Sequence, residues 1–325
     1  MTRLELRPGA VVLILGEVHT GLLRHSTAVS QAVAERILAL RLGAEVRSSK
    51  RPVPYTVSPD LFDGVDCRLP TSNGGQPRGI GTVASYASIT GGQIVQATSV
   101  ATLTAGTAGR RRPWGHYLAR PGVIETLGPA NWDHVAAGWA ASERSVPNLA
   151  AIAVRHLAEV QESSLLDQTV TIRTPVTRLR WMLEYSESGS EIELSVESGE
   201  DRTIRMSGAG LPARAVSDLC GAVAMHDWLL TIVLTAIDRS HLDSGINSRV
   251  LGRLRPAIDR FLHLWMPAAR IDAALRPYWV SLDEAAGLTE QWRTQVARIR
   301  DQLALHTVGL LEEASDRAQQ TSDAG

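Results

Sequence analysis

Gly16-Glu17-Val18-His19-Thr20 sets a carboxylate and an imidazole two residues apart, directly after the apolar run Ala10–Leu15. Alternate residues of an extended chain point the same way, so Glu17 and His19 could act as a base with its orienter, or as two ligands of a metal. A metal would need a third ligand, which the surrounding residues do not identify; the plain alternative is a pair of solvent-facing side chains at a strand end. The place itself is suggestive, because ligands of α/β sheets gather beyond the carboxyl ends of strands. A second constellation is Arg110-Arg111-Arg112 followed by Trp114, His116 and Tyr117. Three adjacent cations beside aromatic rings could grip a phosphate and stack a base. The same residues would also suit a solvated loop or the contact of an acidic partner. Glu17, His19, Arg110, Arg111, Arg112, Trp114, His116 and Tyr117 are thus the candidate ligand- or partner-binding residues. Were they to converge on one cleft, the arginines would hold a phosphate or carboxylate.

The other polar groups fall short of a working set. His156 and Glu159 share a helix face, which is half of a di-iron arrangement, but no Glu-x-x-His partner helix accompanies them. The glycine-rich stretch Ser72–Gly81 precedes a strand, whereas a dinucleotide fingerprint needs a strand before it and a helix after; a P-loop Gly-Lys-Ser/Thr is missing too. No Gly-x-Ser-x-Gly elbow marks a nucleophile. His226-Asp227, His241-Leu242-Asp243, His263 and His306 read as buried or capping histidines, and Cys220 as a packing residue. Cys67 and Cys220 cannot build a tetrahedral thiolate site alone. The expectation is no catalytic residue, no metal and no cofactor.

The 325 residues favour two domains, and 44% hydrophobic against 21% charged residues supports a core and excludes global disorder. A net charge of −1 offers polyanions no general attraction, so a nucleic-acid partner is not expected. The N-terminus lacks a signal-peptide apolar run, and the uncharged stretch Trp228–Ile237 is too short for the roughly 20 residues that span a bilayer. A cytoplasmic protein without a membrane span is expected. Ala10–Leu15 predicts a central buried strand, and Ser26 to Leu42 a helix stopped by Gly43. Prolines confine Ala44–Ser48 and Val53–Val57 to edge strands. Residues 81–104 predict a hairpin turning at Gly91-Gly92. Two helices, Trp132–Arg144 and Asn148–Gln161, precede alternating runs that predict an antiparallel meander over 168–206. Helices 213–239, 247–275 with a kink at Pro267, and 283–318 follow. The last carries an apolar stripe of Leu288, Trp292, Val296, Ile299, Leu303, Leu310 and Leu311.

The fold class is therefore α+β. Residues 1–128 are expected to form an N-terminal mixed α/β unit with the hairpin, and residues 129–325 a helix-rich unit with the meander and a long-helix bundle. Three segments, Gly16–Leu23, Gly64–Pro70 and Arg111–Gly122, resemble an uncharacterised family of Streptomyces-type actinobacterial proteins. The resemblance implies a protein encoded beside a variant P-loop ATPase, with no established activity and no catalytic residue to transfer. The functional expectation is a non-enzymatic component of a bacterial multi-protein system that binds a protein partner, the neighbouring ATPase being the candidate. The alternative is a nucleotide- or phosphate-ligand-binding domain or enzyme that uses Glu17, His19 and the Arg110–Arg112 loop.

Overall fold

The apolar run at the N-terminus does not end at Leu15 but continues as one strand, β1 (Val11–Leu22). Gly16 leaves the strand intact because it makes room for a neighbour: a Cβ there would stand 2.0 Å from the ring of Trp181. β1 pairs antiparallel with β6 (Ile94–Ala105) on one edge and with β8 (Thr177–Tyr185) on the other, so it lies centrally, as an unbroken apolar strand should. The computed structural model describes residues 11–106, 109–141, 147–170, 172–186, 191–196, 200–240, 258 and 260–323.

Among the described residues, ten strands form one mixed sheet. Across it run β2 (Arg47–Ser49), β3 (Tyr55–Val57), β5 (Arg78–Thr90), β7 (Val123–Leu127), β6, β1, β8, β10 (Asp201–Gly208) and β9 (Glu191–Val196), with β4 (Leu61–Arg68) paired to β5. Both short strands expected among the prolines form, but only β2 is an edge, since β3 lies between β2 and β5. β5 and β6 make the expected hairpin. Gly91 and Gly92 both take left-handed φ, and Thr90 pairs with Ile94, so the turn is one residue longer than a two-residue loop. Beyond Ala84 and Val100 the two strands part, and β7 wedges between them, antiparallel to β5 and parallel to β6. Gly81 admits the wedge: a Cβ would meet the Val123 carbonyl at 1.9 Å.

Successive residues of β5 serve opposite faces of the sheet. Ser85 hydrogen-bonds His156 of α4 (Leu149–Gln161) at 2.8 Å, and Tyr86 hydrogen-bonds Ser217 of α5 (Ala213–Ser240) at 2.8 Å. The α4 face also carries α3 (Trp132–Ala141), whose Trp139 packs with Leu13 and Leu15. Ala87 and Ala97 face each other across the hairpin and cluster with Ala153, small side chains that let α4 approach closely. Three shorter or later helices, α1 (Gln31–Ile37), α2 (Trp114–Leu118) and α6 (Arg276–Ala286), accompany them.

Several expectations need correction. The first helix is shorter than Ser26–Leu42, because Ser30 is its cap, accepting from the Val33 amide, while Ser26 is bound to Asp167 and Leu42 is exposed. The meander is not one: β10 runs parallel to β8 and antiparallel to β9, so the chain inserts its last strand between the first two. Alternation reports a half-buried strand but not its neighbour. The strands after Gly128 join the sheet built before it, so no boundary falls there; two compact units are Met1–Met225 with Ala268–Ala285, and His226–Pro267 with Ala286–Gly325. Of the helix expected over 247–275, the first part and His241-Leu242-Asp243 lie outside the described residues. The remainder holds short turns, Leu262–Leu264 and Ala273–Leu275. The expected helix 283–318 is divided at Gly287, in left-handed conformation, into α6 and α7 (Leu288–Asp323).

The second unit is held by aromatic contacts. Trp265 stacks on Trp292 at 4.3 Å, His226 meets Trp265 edge-on at 4.8 Å, and Trp228 meets Phe261 edge-on at 5.6 Å. Leu288, Trp292 and Ile299 are buried, whereas Leu305, Val308, Leu310 and Leu311 are exposed. One stretch, Ala213–Asp238, is long and apolar enough to cross a membrane, but 61% of its most apolar window is buried inside the protein.

Candidate functional site

Glu17 and His19 stand in the middle of β1, not beyond its end, and neither faces solvent: Glu17 is 0% and His19 7% exposed. The His19 Nε2 donates to the Glu17 carboxylate at 2.9 Å, and Arg178 of β8 donates to it through Nε at 2.6 Å. Burial works against the Glu17 charge, but the hydrogen bonds from His19 and Arg178 and the charge of Arg178 outweigh it and hold the carboxyl below its usual range. The charge of Glu17 is thus answered from within the sheet.

The arginine loop has different partners. Arg110, Arg111 and Arg112 are exposed. Arg111 lies 3.7 Å from Asp66 and 5.6 Å from the Trp114 ring, and the Arg112 amide donates to the Tyr117 hydroxyl. His116 hydrogen-bonds Glu125 at 3.0 Å, and Arg120 also reaches that carboxylate. Tyr117 is buried against both Trp114 and His116, in edge contacts at 5.8 and 5.1 Å. The structure therefore brings Glu17 to His19, and the loop residues to one another, in two clusters with separate partners. Of the remaining candidates, His156 bonds Ser85, the Met266 amide donates to His226, and both thiols are free with pKa values raised by burial. Among the described residues, no group of three or more His, Cys, Asp or Glu could hold a metal.

A different set of residues lines a cavity of about 220 Å³ on the α5 face of the sheet, at its β2 edge. Its charged residues are Arg47 of β2, Arg214 and Asp218 of α5, and Arg270. Tyr55, Tyr86, Ser88 and Ser217 add hydroxyls. The local folding is simple. Arg214, Ser217, Asp218 and Gly221 recur at helical spacing, so the first turns of a mostly apolar helix present one polar face. Tyr86 and Ser88 alternate with Ser85 and Ala87 and so point away from α4.

The guanidiniums are unequally satisfied. Arg214 lies 3.8 Å over the Tyr86 ring, donates to Asp60 at 2.8 Å and to Asp218 at 3.2 Å. Burial opposes its charge, yet Tyr86, Asp218 and Asp60 leave its pKa raised. Arg270 lies 3.8 Å over the Tyr55 ring, but its Nη1 is buried without a hydrogen-bond partner. Its Nη2 has only Thr90 Oγ1 at 3.5 Å and Met225 Sδ at 3.9 Å. Burial lowers its pKa. The Asp218 side chain is 42% exposed. Burial pushes its pKa up against the pull of Arg214 and Arg47. Burial also raises the phenols of Tyr55 and Tyr86, which remain protonated donors.

No motif announces this cavity, because its residues are scattered between positions 47 and 57, 86 and 98, 214 and 222, and at 270. The one local signal was the polar face opening α5. Compared with family models, curated proteins and solved structures, the chain finds no match in any of the three.

Proposed function

We propose that this chain is a binding component for a small anion, held in the cavity formed by Arg47, Arg214, Arg270 and Asp218. The observation that carries the reading is Arg270: a largely buried guanidinium in the wall of a cavity, with no hydrogen bond to a carboxylate and only the more distant charge of Asp218 set against its own. Burying a cation that has no ion pair costs stability, and an anion bound beside it recovers part of that cost. Phosphate and carboxylate both match guanidinium geometry.

The test is thermal unfolding against inorganic phosphate and citrate, in wild type and Arg270→Met. Anion at about 100 times its dissociation constant contributes about 2.7 kcal/mol, a rise of about 5–11 °C for a unit of this size. The variant should melt within about 3 °C of wild type without anion, since it loses both a buried charge that has no ion pair and its stacking on Tyr55. It should gain only the general salting effect that phosphate has on any protein. Equal gains in both proteins would end the reading.

A second reading is favoured by Leu305, Val308, Leu310 and Leu311, apolar and exposed on α7. It makes the chain a cytoplasmic, non-enzymatic component that docks a protein partner, the P-loop ATPase implied by the family resemblance being the first to try. Retention of that ATPase by wild type but not by a variant with the four residues changed to Ser supports it, and equal retention counts against it.

A further inference from the structure

We propose that the anion is the phosphate of a small, non-aromatic monoester carrying free hydroxyls, with the phosphate on Arg270 and Arg47 and a hydroxyl on Asp218. This rests on the anion-binding reading above and narrows it. Arg214 is paired with two carboxylates, Asp60 and Asp218, whereas Arg47 and Arg270 make no carboxylate hydrogen bond among the described residues, so two guanidiniums remain to face a dianion. Arg214 is already committed to Asp60 and Asp218, so the phosphate falls to Arg270, which lacks an acid partner, and to Arg47, exposed on the edge strand. Asp218 then sets the other end. Its Oδ1 takes Arg214 and, at 3.4 Å, Tyr86, while no contact described occupies Oδ2. A carboxylate only accepts, so the ligand must donate to it. An ammonium would add charge to a site already positive, so the donor is neutral, and on a small phosphate monoester that donor is a hydroxyl.

The rings argue against a nucleobase. Tyr55 and Tyr86 each carry a guanidinium 3.8 Å over the face, where a base would stack. The cavity, about 220 Å³, is also below the roughly 300 Å³ at which pockets for drug-sized ligands begin.

The experiment is calorimetric titration of wild type and Asp218→Asn with inorganic phosphate, glycerol 3-phosphate, ribose 5-phosphate and adenosine monophosphate. Wild type should bind ribose 5-phosphate about tenfold tighter than inorganic phosphate, a charge-assisted hydrogen bond being the difference. Asp218→Asn keeps the shape and an acceptor for Arg214, so it should fold. It should bind inorganic phosphate at least as tightly as wild type, having lost a repelling charge, while the preference for ribose 5-phosphate shrinks severalfold. An unchanged preference in the variant, or equal binding of phosphate and both polyol esters by wild type, would overturn the hydroxyl assignment and leave the anion site standing. Adenosine monophosphate binding tighter than ribose 5-phosphate would overturn the exclusion of aromatic ligands. No binding of any of the four by wild type would remove the anion site with it.

Discussion

Glu17→Gln separates a structural ion pair from a ligand site, and the structure sets its size. Glu17 is fully buried and accepts from His19 at 2.9 Å and from Arg178 at 2.6 Å. Glutamine keeps the shape and one acceptor oxygen but removes the negative charge to which both hydrogen bonds are made, and its amide must displace one donor. The loss is about 2–4 kcal/mol, below the cost of a wholly buried pair because the Arg178 side chain is 24% exposed. For a unit of this size that lowers the melting temperature by about 4–16 °C at neutral pH. The pH dependence carries the sharper test. The folded pKa of Glu17 is held below its ordinary value, so its contribution is present above the ordinary carboxyl range and fades as pH falls through the folded pKa. The gap between wild type and variant should therefore narrow as the solution is acidified, once the wild-type carboxyl takes a proton and becomes a near copy of the amide. Circular-dichroism melts of both proteins at steps from about pH 7 to pH 3 read this directly. A gap below 1 °C at neutral pH, or one that stays constant on acidification, would refute the reasoning.

Two further outcomes follow from the packing. Gly16→Ala pushes a methyl to within 2.0 Å of the fully buried Trp181 ring and should cost about 1–3 kcal/mol; adding Trp181→Phe should recover part of that loss, and strictly additive melting shifts would show that the ring is not the obstacle. Burial pushes the Cys67 thiol up to about 11 and raises that of Cys220 well above its usual value. An aromatic disulfide reagent at about pH 8 should therefore label the native protein about 100-fold more slowly than an ordinary thiol, and both sites promptly once unfolded; fast native labelling would contradict the burial.

Much of the local structure could be read from residue order. The apolar run of β1, the prolines flanking β2 and β3, the double glycine of the hairpin and the apolar faces of α4 and α5 all act over a few residues, where propensity and periodicity operate. Gly16 and Gly287 are equally glycine, yet one lies within a strand beneath Trp181 and the other, left-handed, ends a helix.

What the tertiary structure alone decided was pairing and convergence. Alternation marked β8 and β9 as strands but could not say that β8 would join β1 across the expected domain boundary, because a pleated edge accepts any strand of matching register. It turned Glu17 and His19 from an exposed strand end into the buried centre of a sheet, where Arg178, far along the chain, supplies the counter-charge. The same applies to the cavity. Arg47, Tyr86, Asp218 and Arg270 carry no shared spacing, and only the folded sheet with α5 across it places three guanidiniums and one carboxylate around a single space.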